Sequence, residues 1–347
     1  MTSRMRHEIG EQPDALRTTV TSLLPQLDAV RAVAGRTRQV LFIARGSSDN
    51  AAVYGRYLVE THAGRLATLA APSVATTYRR RLDLDGVLAV AISQSGRTEE
   101  IVETMEWARS CGAVTVGVTN GEGSPLAESA DVALLTRAGD ELAVPATKTY
   151  TTQLAALAVL AVGLGAQVDP DDLLQVPAEI ERLIAATEAS DALDAAVAEL
   201  AKVPGTVVSA RGIAFGTALE LALKLKEACY LHAMGLSYAD LLHGPIAVVD
   251  AETPAIVLGA EESPTLQGTV ALARRVTEAG ARVYGIGGGE ALAEASSLAL
   301  PGPRLPEWVA PLGLIVPGQL LVERLARTLG IDPDNPRGLR KVTQTGA

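Results

Sequence analysis

A short pattern occurs twice in the chain, and that repetition constrains the fold more than any single motif. The run Gln39-Val-Leu-Phe-Ile-Ala44 is apolar, brief and stopped by Arg45-Gly46, which reads as a buried strand entering a turn. Ala44-Arg45-Gly46 returns 166 residues later as Ala210-Arg211-Gly212, again after an apolar run, Thr206-Val-Val-Ser209. Gly112-Ala113 with Gly117 returns as Gly280-Ala281 with Gly285, now 168 residues on. Short Gly/Ala matches arise by chance in an Ala-rich chain, but both pairs sit in equivalent strand-to-turn and helix-to-strand contexts, which favours a true repeat. Periodic apolar stretches, Ala15 to Val33 and Asn50 to Thr61, read as helices. Gly86 to Ile92 and Val114 to Val118 read as further strands. Strands that are apolar throughout and separated by helices imply a parallel sheet covered on both faces. The expected fold is therefore α/β, as two tandem doubly wound units.

The length agrees: 347 residues are roughly two domains at about 150 residues each. We expect an N-terminal lead at 1–19, a first unit at 20–165, a polar helical linker at 166–189, a second unit at 190–325 and a tail at 326–347. A hydrophobic share of 48% with 20% charged residues supplies apolar surface for two cores, and with 3% aromatics those cores are built from Ala, Val and Leu. The formal net charge of -10 offers no general attraction to a phosphate backbone, which argues against nucleic-acid binding. Cys111 and Cys229 are the only cysteines, without CxxC or a Cys/His cluster, so no disulfide framework or metal site is expected. The polar N-terminus lacks an apolar signal core, and no window approaches about 20 uninterrupted apolar residues. The expectation is a cytoplasmic protein without membrane contact.

The loop Ser93-Gln94-Ser95-Gly96-Arg97-Thr98 follows the strand ending at Ile92 and opens a helix. Such a loop presents free backbone N–H groups and the positive end of a helix dipole to an anion. Its hydroxyls and amide, with Gly96 permitting close approach, suit one phosphate monoester. The competing reading is an ordinary helix N-cap, because Ser or Thr followed by Glu is what caps look like. Gly46-Ser47-Ser48-Asp49-Asn50 occupies the equivalent place after the first strand. Glu141 to Thr149 joins an acidic loop to a helical run, where Thr147 could simply cap. GxxxxGK[ST] and GxGxxG are both absent, and Gly287-Gly288-Gly289 lacks the fingerprint spacing, so nucleotide or NAD binding is a poor reading.

The second unit concentrates its chemistry in Thr217 to Tyr230, where Glu220, Lys224 and Glu227 fall at spacings of four and three on one helical stripe. A solvated face would look the same. Leucines around the helix argue for burial, and buried charges are costly unless they are paired or face a polar cleft. His243 lies in a Gly-Pro loop before an apolar run, Ile246 to Val249, that reads as a strand. The tail from Asp334 to Lys341 is polar and would ordinarily fray.

In order and spacing, Glu8-Ile9-Gly10-Glu11-Gln12-Pro13, SQSGRT, ATKTYTTQL, ALKLKE, LLHGP and NPRGLRK resemble the sugar isomerase (SIS) domain family. Within it, the resemblance is closest to the isomerase half of glutamine–fructose-6-phosphate amidotransferase. It covers nearly the whole chain and implies flavodoxin-like units. It also implies that Ser93, Gln94, Ser95, Thr98 and Ser48 hold a sugar phosphate, with Val144, Ala146 and their neighbours touching the sugar. Glu227 corresponds to the residue that moves a proton between C1 and C2, with Lys224 beside it, and His243 to the residue that opens the ring, in the family from a neighbouring subunit. Lys341 corresponds to the tail lysine that forms a Schiff base with the ketose. The same resemblance implies a homodimer with a shared site, and a reaction that requires no metal or organic cofactor.

Met1 lies only seven residues before Glu8, so the expectation is a stand-alone protein without a glutaminase domain. It would convert glucosamine 6-phosphate to fructose 6-phosphate and ammonia. The alternatives are a deglycase or isomerase of another phosphorylated ketosamine or amino sugar, and a non-catalytic phosphosugar-binding regulator. Pro145-Ala146 and the Leu236 to Asp240 loop depart from the family pattern and bear on specificity.

Overall fold

The protein is represented by a computed structural model that describes residues 2–341; Met1 and the end of the expected tail, 342–347, lie outside the described residues. The chain forms two compact units. Among the described residues, one comprises 14–141, 148–174 and 340–341, and the other 2–13, 142–147 and 175–339.

The first of these holds a five-stranded sheet: β1 (Gln39–Ile43), β2 (Leu66–Leu69), β3 (Val87–Ile92), β4 (Val114–Thr119) and β5 (Val132–Leu135). Its order is β2-β1-β3-β4-β5 and every pairing is parallel. β3 and β4 are buried almost end to end, the mark of strands covered on both faces. One cover is the helix Lys148–Gly163, sixteen residues without a charge after Lys148 and buried at every position. Gly163 has no room for a side chain, since a Cβ there would lie 2.3 Å from Val30 Cγ1.

The second unit repeats the plan with β6 (Gly205–Ala210), β7 (His232–Ser237), β8 (Ala255–Gly259), β9 (Val283–Gly287) and β10 (Leu298–Leu300). The order β10-β9-β8-β6-β7, read from the other edge, matches the first sheet strand for strand. Both are parallel doubly wound sheets with a switch point between the strand pairs β1/β3 and β6/β8, where ligands of such folds bind. The helices Phe215–Cys229 and Ala310–Thr328 pack together beside the second sheet, with Gly318 lying against Leu221.

Two expectations need correction. Ile246 to Val249 is not a strand: Pro245–Val248 forms a 3-10 helix, because Pro245 brings no N–H to a ladder and Gly244 turns the chain at φ 133°. The single helix expected from Ala15 to Val33 is two, Gln12–Leu23 and Leu27–Ala34, separated by a 3-10 turn carrying Pro25.

Candidate active site

At the carboxyl end of β3 the chain turns through Ser93 to Thr98. Gly96 has φ 64°, and a Cβ there would lie 2.1 Å from Ser124 Oγ, so conformation and space both demand glycine. Thr98 occupies the N-cap position of the helix Glu99–Ser110, yet its hydroxyl makes no capping bond. Its Oγ1 instead lies 3.3 Å from Ser93 Oγ, which also accepts from the Gly96 N–H at 3.2 Å. Ser95 Oγ accepts from the Arg97 N–H at 3.2 Å. The Gln94 carbonyl accepts from Asn120 N–H and Thr119 Oγ1, which ties the loop to the end of β4. Ser48, buried in the first turn of the helix Ser47–His62, follows β1, the neighbour of β3 in the sheet. Burial pushes the adjacent Asp49 carboxyl above its usual range, with the Arg45 guanidinium pulling the other way. The cradle itself is thus built from neutral hydroxyls, an amide and backbone N–H groups.

The same unit brings together two residues far apart in sequence. Lys341 Nζ lies 2.5 Å from Glu141 Oε2. Glu141 is fully buried as a side chain and also accepts from Thr149, through the hydroxyl at 2.6 Å and the N–H at 3.1 Å. The tail lysine is therefore held by a buried carboxylate, and Glu141 joins the set of candidate functional residues. The sequence showed it only as the start of an acidic loop, because nothing local ties it to a lysine two hundred positions on.

In the other unit the stripe on Phe215–Cys229 is internal. The Lys224 side chain is 1% exposed and Glu220 0%, with Lys224 Nζ 3.5 Å from Glu220 Oε1 and hydrogen-bonded to Glu227 Oε2. Glu227 alone in the stripe reaches solvent, at 23%. A solvated face, the bland reading of these charges, is thereby overturned. His243 caps the short helix Tyr238–Leu242 through its backbone and is exposed; among the described residues its ring makes no hydrogen bond or ion pair. Val144 and Ala146 lie half-buried in the irregular segment 142–147, where the Val144 N–H donates to the Asp334 carbonyl at 2.9 Å. Among the described residues no group of three or more His, Cys, Asp or Glu could hold a metal ion, and no helix is long and apolar enough to cross a membrane.

The SIS domain profile matches residues 36–163 and 199–307, one segment over each sheet. The chain belongs to the SIS domain family. Over 345 residues, 97% of its length, this SIS chain is 35% identical to the isomerizing glutamine–fructose-6-phosphate aminotransferase of Pyrococcus horikoshii. It is 36% identical to that of Methanothermobacter thermautotrophicus over 340 residues. It spans only 57% and 56% of those relatives. Among solved structures, the C-terminal domain of the Francisella tularensis glucosamine-fructose-6-phosphate aminotransferase superposes with a TM-score of 0.87 at 28% identity, covering 97% of this chain and 99% of that one. A glucosamine-6-phosphate deaminase from Thermotoga maritima gives 0.78 at 25% identity, covering 99% of this chain and all of the other.

Proposed function

We propose that the chain is a phosphosugar isomerase that deaminates glucosamine 6-phosphate to fructose 6-phosphate and ammonia. The observation that carries the reading is Glu227, the one carboxylate of an otherwise sealed charged stripe that is open to a substrate. The full-length likeness to a deaminase supports it, as does the kinship with the aminotransferases.

In this reading the hydroxyls of Ser48, Ser93, Ser95 and Thr98, with Gln94, hold the phosphate. That contact is remote from the reacting carbons and supplies positioning. Ring opening moves a proton from the C1 hydroxyl to the ring oxygen, the task of His243. Glu227 then takes the C2 proton and returns it to C1, leaving an imine at C2. Lys224, fixed between two carboxylates, sets the position of Glu227. The Lys341 amine, once Glu141 has taken its proton, adds to C2 and expels ammonia; water then cleaves the Schiff base to give the ketose and the free lysine. The balance is one water consumed and one ammonia released, with no redox step. We also propose a homodimer in which the exposed His243 serves the neighbouring subunit.

The test is to follow ammonia and fructose 6-phosphate from purified protein and glucosamine 6-phosphate. Turnover by wild type that is lost in Glu227→Gln supports the reading, and full turnover by that variant overturns it. Mixing His243→Ala with Glu227→Gln dimers should restore partial activity if the site is shared; no recovery after subunit exchange overturns the sharing.

A further inference from the structure

We infer that Glu8, in the N-terminal helix Arg4–Gly10, is a positioning residue for the segment 142–147. The inference rests on the reading that Val144 and Ala146 touch the sugar, and it deepens that reading by naming what holds them.

The segment has no helix or strand of its own, so its backbone polar groups must find tertiary partners. Three successive donors do so within one compact unit. The N–H groups of Leu142 and Ala143 both donate to the Glu8 carboxylate, Ala143 at 3.2 and 3.3 Å to its two oxygens. Val144 donates to the Asp334 carbonyl at 2.9 Å, and Pro145 has no N–H to place. The far end is pinned through Gln319, whose amide donates to the Thr147 carbonyl at 3.3 Å and accepts from Gln12 at 2.9 Å.

The contacts close into a ring. The Asp334 carboxylate accepts the N–H groups of Arg4 and Met5 at 2.9 and 2.8 Å, at the start of the helix that carries Glu8. Glu8 is 3% exposed and Gln12 and Gln319 are 0%, so the charge-assisted bonds from Ala143 to Glu8 and the bonds through Gln319 are buried, while those from Leu142 to Glu8 and from Arg4 and Met5 to Asp334 lie nearer the surface. Removing the Glu8 carboxylate takes its acceptor oxygens from two adjacent backbone donors, the part-buried N–H of Leu142 and the buried N–H of Ala143, next to the residues read as touching the sugar. Glu8 and Gln12 belong to the EIGEQP run, so what reads in sequence as a polar lead acts here as a clamp.

The experiment uses the full chain with Glu8→Ala and the milder Glu8→Gln, which keeps an acceptor oxygen. Amide hydrogen exchange of the 142–147 peptide is measured beside turnover of glucosamine 6-phosphate. Glu8→Ala is expected to lose protection at 142–144 and to raise KM about tenfold while kcat changes by less than about threefold; Glu8→Gln should give about threefold in KM. Unchanged protection and KM in Glu8→Ala overturn the inference. So does an equal loss of protection in β6 and β8, which would make Glu8 a general stabiliser. Absence of turnover in wild type overturns the proposed function instead, and the exchange pattern still decides whether Glu8 holds the segment.

Discussion

The two sheets share one strand order, yet the loops at equivalent strand ends carry opposite chemistry. After β3 come Ser93, Gln94, Ser95 and Thr98, neutral hydroxyls and an amide around a left-handed glycine. After β8, the equivalent strand, come Ala260, Glu261 and Glu262, the two carboxylates exposed. The helices after β1 and β6 differ as well. Ser47–His62 carries a buried Ser48 in its first turn, whereas Phe215–Cys229 carries Glu220, Lys224 and Glu227. The backbone plan is common to both units, and under the proposed function one would bind the anion while the other moves the proton. Topology fixes where a site can form, and side chains decide what it does.

Substitutions can break this division of labour. The largest effect is expected from Glu227→Gln, which should lower kcat by about two orders of magnitude or more while fructose 6-phosphate still binds, as read by calorimetry. A lost binding signal with retained turnover would place the chemistry elsewhere. Next is Lys224→Met, which leaves the Glu220 carboxylate buried without its lysine. It should cost about 3 kcal/mol in denaturant unfolding and reduce turnover as well. Stability equal to wild type would mean that the stripe is not the sealed ion cluster described above. The double change Ser93→Ala, Thr98→Val should raise KM for the phosphorylated sugar about tenfold, leaving kcat less affected, since phosphate contacts act on binding and transition state alike. A fall in kcat with KM unchanged would contradict a positioning role. The smallest effect is expected from the matching change in the second copy: Glu261→Ala with Glu262→Ala should leave KM and kcat within about twofold. A tenfold rise in KM there would show that both copies bind anions.

Much of this plan was legible in the residues. β1, β3 and β4 lie within a residue or two of the runs read from apolar content, because a strand buried on both faces has nothing polar to confuse it. Gly96 and the hydroxyl loop could be placed because strand, loop and helix are contiguous. The readings failed where a proline intervened, at Pro25 and Pro245, each removing a donor that periodicity takes for granted. The hydroxyl of Thr98 could not be assigned either. A capping threonine and one that does not cap have the same sequence, and only the 3.3 Å approach to Ser93 shows that this hydroxyl turns away from the helix end.

The sequence by itself determined the two parallel sheets, the cradle loop and the charged stripe, since each depends on residues a few positions apart and on the period of a helix or strand. Tertiary structure alone decided that Glu227, and not Glu220, is open to solvent. It alone set Glu141 against Lys341, and Glu8 against the backbone of Leu142 and Ala143. The reason is desolvation. A buried carboxylate must be met by donors from anywhere in the chain, and its partners are selected by the packed interior rather than by neighbouring letters.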